Sequence, residues 1–222
     1  MERRRYIDQN QSQKDDESIE GPTTNLALVN GIFYVITALL SRNLLFTQPL
    51  PLVLFGFSWH NFTSGLIWTP ITSIFTHSGI FHIGGNMIFL FVYGFKLEEM
   101  GYNDRGVYEA YFVTGLLATF LSAPFFYPNV IFVGASGAIF GLLGVFVGTE
   151  RREGTSNYKS ALFAAIILFV MTSSSPNTNI LAHLAGLIVG IILGNSNYFA
   201  QYQTEPREDQ SRSHKGTAQY IQ

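Results

Sequence analysis

At 222 residues, with a formal net charge of −2 and 13% charged against 47% hydrophobic residues, the chain is too apolar and too evenly charged for a nucleic-acid binder. It contains no Cys, which excludes a disulfide framework, a thiolate nucleophile and any Cys-ligated metal. Its apolar residues gather in runs near the roughly 20 residues that cross a bilayer, so the expected class is an all-α, polytopic membrane protein.

Residues 1–25 are polar and of mixed charge, and no apolar stretch follows their basic start. They are therefore expected to be a disordered tail and not a signal peptide. The domain proper is expected over 26–195. Its first span covers about 26–46, after which Pro49 and Pro51 open a connection reaching to about residue 80. The aromatic residues of that connection, Phe55, Phe57, Trp59, Phe62 and Trp68, suit a segment lying at the membrane surface. Spans two and three are expected over 80–97 and 107–127, joined by a short charged turn through Arg105. The fourth begins at Ser136 and stops at Glu150, Arg151 and Arg152. A shorter fifth covers 160–172, and the polar loop over 172–179 reads as a turn that could act as a lid. The sixth covers 180–194, and residues 196–222 form a second polar tail.

All 13 Lys and Arg residues except Arg42 fall on one side of this alternation. The positive-inside rule then places both tails in the cytoplasm and requires an even number of spans, which six satisfies. With the orientation set, a rise of about 1.5 Å per residue puts Ser136, His82 and His183 at one level, roughly 18–21 Å above the inner boundary. That is some 10 Å below the outer surface of a hydrocarbon layer about 30 Å thick, where a cluster of polar groups is costly unless it is functional.

Each of these residues has an ordinary explanation when taken alone. Ser136 could be one more small residue on a packing helix, His183 a hydrogen-bonded core histidine, and Asn86 a bond between helices. Taken together they form a pattern with a chemistry. Ser136 stands at the head of a helix between Gly134 and Gly137, where free backbone N–H groups point outward. His82 and Asn86 are four apart and share a helix face. His183 shares its face with Gly186, Gly190 and Gly194, opposite the row Gly137, Gly141, Gly144 and Gly148 of the fourth span. A serine, a histidine and two side-chain donors at one depth supply a nucleophile, a base and an oxyanion hole. No acid lies near enough to orient His183, since Glu98 and Glu150 stand at the cytoplasmic ends of their helices, so the reading is a Ser-His dyad. A metal held by His82 and His183 would lack a carboxylate or Cys to complete its ligands.

Three motifs in this order make the chain resemble the rhomboid family of intramembrane serine proteases in its six-span form. Gly134-Ala135-Ser136-Gly137 matches GxSG, His82 to Asn86 matches HxxxN, and Ala182-His183-Leu184-Ala185-Gly186 matches AHxxG. The resemblance implies Ser136 as nucleophile and His183 as base, with His82, Asn86 and the Ser136 backbone N–H as oxyanion donors. Gly134, Gly137, Phe140 and Gly186 would support the site. It also implies a multi-pass protein of the cell membrane that cleaves transmembrane segments of partner proteins near the outer leaflet, without a cofactor. Glu98 fits the acid that ties the family's second helix at its cytoplasmic end. Two positions depart from the family pattern: Thr69 follows Trp68 where Arg is frequent, and Phe140 stands where many members have a Tyr packed on the base. The alternatives are a rhomboid-like protein without activity that binds or moves membrane segments, and a transporter. Intact Ser136 and His183 argue against the first, and the absence of a charged relay across the bilayer argues against the second.

Overall fold

A computed structural model of the chain describes residues 21–173 and 178–203, so most of both expected tails and the middle of the expected lid loop lie outside the described residues. The described residues form helices and contain no strand. The chain order is α1 (Pro22–Ser41), three short helices α2 (Pro49–Phe55), α3 (Trp59–Thr63) and α4 (Thr69–Phe75), then α5 (Ile80–Glu99), α6 (Asp104–Ser122), α7 (Ser136–Arg152), α8 (Tyr158–Ser173), α9 (Ile180–Gly194) and the short α10 (Asn197–Ala200). Helices α1, α5 and the stretch Asp104–Phe125 are long and apolar enough to cross a membrane, while α8 and α9 are apolar but shorter. The fold is an all-α polytopic bundle.

The bundle is built around α7. Apart from Ser136 and Phe146, every residue of α7 from Gly137 to Glu150 is buried, an all-round burial that few polar residues could tolerate. The outer helices are apolar on the opposite side: α1 exposes Leu28, Ile32, Val35 and Leu39, and α8 exposes Phe163, Ile166, Val170 and Met171. Such faces belong against lipid.

Between α7 and α9 the glycine rows meet as expected, but they divide their work between two neighbours. A Cβ at Gly186, Gly190 or Gly194 would run into the carbonyl oxygen of Gly137, Gly141 or Val145, and one at Gly144 or Gly148 into the carbonyl of Leu187 or Ile191. Main chain thus packs directly on main chain along the whole seam. Gly141 and Gly137 also turn toward α6, where a Cβ would strike Thr114 and Ala118.

The connection from α1 to α5 is not a single surface segment. Pro49, Pro51 and Pro70 sit in the first turns of α2 and α4, where a missing N–H costs nothing. Phe57 exchanges backbone hydrogen bonds with Phe132, 3.0 Å and 2.7 Å, so the connection is laced to the strand-like approach to Ser136. Around that contact Phe57, Trp59 and Phe62 pack with Phe120 at ring separations of 5.4–6.2 Å. Thr69, the departure from the family pattern, is fully buried, and its hydroxyl donates to the Leu66 carbonyl at 2.8 Å inside the connection.

Several boundaries differ from expectation. Helix α1 starts at Pro22, inside the expected tail, where the Glu98 carboxylate accepts the Thr23 N–H at 3.0 Å and serves as a cap from another helix. Helix α6 ends at Ser122 and continues only as a 3₁₀ turn, Ala123–Phe125, because Pro124 has no N–H to extend it. The polar tail expected from residue 196 begins later: Phe199 and Tyr202 are buried, and Tyr202 accepts the Asn103 N–H at 2.9 Å. Arg152 completes this clasp, donating to the Gly194 carbonyl at 2.8 Å at the C-terminus of α9, where a cation suits the helix dipole.

Candidate active site

A cavity of about 590 Å³ opens at the head of α7, and Ser136, His183, His82 and Asn86 all line it. Gly134, Gly137 and Phe140 line it too, while Gly186 stands behind, against the Gly137 carbonyl. The residues singled out from the sequence on three different helices therefore meet at one place.

Ser136 is the first residue of α7 and is half-buried at the cavity wall. The residue before it, Ala135, has no side chain that could cap the helix, so the N–H groups of the first turn keep their capacity to bind a negative charge. The chain reaches Ser136 through Gly134 at a φ of +119°, a conformation closed to most side chains. Its N–H is anchored on the Ser73 carbonyl at 2.8 Å, so α4 fixes the approach to the serine.

His82 and Asn86 come from the first turns of α5 and converge on Gly134. A Cβ on that glycine would lie 2.8 Å from both Cε1 and Nε2 of His82, and 3.6 Å from Nδ2 of Asn86. The tautomer of His82 follows from its other edge. The Ser78 N–H, which can only donate, points at Nδ1 from 3.4 Å, and the Ser78 hydroxyl lies 3.0 Å from the same atom. Nδ1 is then the acceptor and Nε2 carries the proton, facing the glycine turn. The Nδ2 of Asn86 is buried and has no hydrogen-bond partner among the described residues. Leaving a buried donor unpaired costs about 1–3 kcal/mol, and native proteins rarely keep one without a use for it.

His183 is buried in the first turn of α9 and lies flat on Phe140, with ring centroids 4.4 Å apart and planes 24° from parallel. Phe140 is itself met edge-on by Phe169 of α8 at 6.0 Å. The Phe that departs from the family's Tyr therefore keeps the stacking role. His77, outside these helices, is fully buried, and its Nδ1–H donates to the Phe75 carbonyl at 3.1 Å. Burial, followed by the nearness of His82, holds its imidazole down at about 3, so it is a neutral brace that meets the His82 ring edge-on at 5.0 Å. His60 is exposed.

Three contributors were not singled out from the sequence. Ser78 orients His82, the Ser73 carbonyl anchors Gly134, and Asn179 caps α9. Only Asn179 had a local signal, an Asn directly before an apolar helical run. The arrangement as a whole offers a hydroxyl on a helix N-terminus, an imidazole, and two N–H donors around one cavity, which are the parts needed for acyl transfer.

The rhomboid domain family model matches residues 64–197, from the end of α3 through α9. The chain belongs to the rhomboid family. Over 187 residues it is 27% identical to Rhomboid-like protease 1 of Toxoplasma gondii, covering 80% of this chain and 64% of that protein. It is 34% identical over 134 residues to RHOMBOID-like protein 1 of Arabidopsis thaliana, covering 58% of this chain and 34% of that one. With Rhomboid-like protease 2 of Toxoplasma gondii it shares 28% over 185 residues, covering 79% and 65%. The chain thus spans between about a third and two thirds of the length of these curated relatives. Within the rhomboid match lie all of the cavity's candidate polar residues, and α1 and α2 fall before it.

Proposed function

We propose that this rhomboid is an intramembrane serine endopeptidase that cleaves transmembrane segments of partner proteins near the outer leaflet. Ser136 Oγ attacks the scissile carbonyl carbon while His183 takes its proton. The carbonyl oxygen becomes an oxyanion held by His82 Nε2–H, Asn86 Nδ2–H and the Ser136 backbone N–H. Collapse breaks the C–N bond, and the amine leaves with the proton from His183. Water then repeats the sequence on the acyl-enzyme, with His183 again as base, and frees Ser136. No cofactor takes part. Because a helix hides its carbonyls in internal hydrogen bonds, the substrate must unwind locally before it reaches the cavity.

The observation that carries this reading is the buried, unpartnered Nδ2 of Asn86 beside Gly134, in the cavity that holds Ser136 and His183. A donor left without a partner at the reacting centre is useful when its acceptor exists only during reaction. An inactive binding scaffold has no such need. The test is purified protein in detergent, given a transmembrane substrate and, separately, a serine-directed fluorophosphonate. Wild type should cleave and be labelled, and Asn86→Ala should lower kcat on the order of 10²-fold with KM within a few-fold. Wild-type protein that does neither ends the protease reading. An Asn86→Ala protein that loses thermal stability but keeps its kcat removes Asn86 from the site.

The distribution of basic residues supports a second proposal, that the chain is a multi-pass protein of the cell membrane with six crossings and both termini in the cytoplasm. A phosphatase reporter, active only outside the cytoplasm, should be silent when fused after Gln222. Activity there would reverse the orientation.

A further inference from the structure

We propose that Asn179 is a positioning residue for His183, holding the base in place by tying the first turn of α9 to the end of α6. The inference rests on the protease reading of His183. Asn179 uses both ends of its amide. Its Oδ1 accepts the Ala182 N–H at 3.0 Å, which caps α9 one residue before the histidine, and its main-chain carbonyl accepts the His183 N–H at 3.2 Å. Its Nδ2 donates to Ser122 Oγ at 3.0 Å. Ser122 is the last residue of α6, buried to 1% exposure, and its own hydroxyl is engaged with the Thr119 carbonyl at 3.2 Å. One side chain therefore bridges the head of the His183 helix and the tail of a neighbouring one.

The bridge acts where α9 is weakest. The N–H groups of Ile180, Leu181 and Ala182 have no partner within α9, so an uncapped end frays, and His183 follows directly on them. Stacking on Phe140 sets the plane of the imidazole. The backbone from which the ring projects is held by the Asn179 carbonyl, and the Asn179 side chain is itself tied to Ser122. The tight carbonyl-on-glycine contacts of the seam begin at Gly186, while before the histidine a Cβ on Gly137 would come only to 3.8–3.9 Å from Ala182, an ordinary van der Waals contact. Asn179 adds a fixed tie to the turn where the seam grips least.

Three substitutions separate the two bonds. Asn179→Ala removes the cap and the tie, Asn179→Asp keeps the cap acceptor and loses the donor to Ser122, and Ser122→Ala removes the tie from its other end. Since a displacement of about 1 Å can cost 10²-fold, Asn179→Ala should lower kcat at least about tenfold with KM within about twofold. Asn179→Asp should recover part of that loss. Ser122→Ala should match Asn179→Asp, and the pair together should be no slower than either, as expected for one shared bond. Fluorophosphonate labelling of Ser136 should slow in the same order. If Asn179→Ala and Ser122→Ala lower only the melting temperature while the folded fraction keeps wild-type kcat, the positioning role is overturned and the protease reading stands. Wild-type protein that neither cleaves nor labels overturns that reading, and this inference with it.

Discussion

Ser136→Ala is expected to reduce cleavage of a transmembrane substrate by at least about 10⁴-fold, below ordinary detection, and to abolish fluorophosphonate labelling. The loss would be this large because the Ser136 hydroxyl is the only protein group in the proposed mechanism that bonds covalently to the substrate, and no Cys exists to replace it. Stability should barely move. Ser136 is the first residue of α7 and not its cap, and Ala is the residue most at ease in a helix, so the melting temperature should stay close to wild type. The measurement is single-turnover cleavage and labelling on protein whose fold has been checked by its melting curve. Cleavage by the Ala variant at the wild-type rate would rule out Ser136 as nucleophile.

Gly134→Ala should come next in severity, although this residue carries no functional group. The φ of +119° is a conformation that a side chain makes expensive, by about 1–3 kcal/mol. The new methyl would also stand 2.8 Å from His82 Nε2 and Cε1. Either the backbone rotates, breaking the Gly134 N–H bond to Ser73, or the imidazole is driven away; both outcomes move a proposed oxyanion donor. The expected result is a fall in kcat on the order of 10²-fold or more, with a measurable drop in melting temperature. A double variant separates the routes. If the damage passes through His82, Gly134→Ala with His82→Ala should be no slower than His82→Ala alone. A Gly134→Ala protein with normal kcat would show that the turn is not held as tightly as its contacts require.

What could be read from the sequence was whatever a helix makes periodic. Spacings of four placed His82 with Asn86 and lined up the glycines of α7 and α9, and each apolar run overlaps a helix of the described residues, though the ends of α1 and α6 fall well short of the expected ones. The stack of Phe140 on His183 follows the rhomboid resemblance, in which a Tyr at that place packs on the base, and spacing alone did not announce it. What could not be read depends on partners distant along the chain. The bond from Asn179 to Ser122 joins residues 57 apart, and nothing local to Ser122 announces it. The end of α6 was misplaced because the run stays apolar to Tyr127, while Pro124 had already ended the helix. The clasp after α9 was hidden by composition: a polar stretch on average, it carries Phe199 and Tyr202, and burial of two aromatic side chains outweighs the solubility of their neighbours. The connection before α5 showed its aromatic residues but not its three helices, which are too short to display a period.

The main-chain seam between α7 and α9 has a consequence for how the protein responds to its surroundings. Interfaces built from Leu or Phe can re-pack, because each side chain has several rotamers and can trade one for another when temperature or solvent changes. Carbonyl groups resting on glycine Cα atoms have no such alternatives. The two helices that carry Ser136 and His183 are thus expected to move as one pair, so transfer from bilayer to detergent should disturb the lipid-facing surfaces of α1 and α8 before it alters the spacing within the pair.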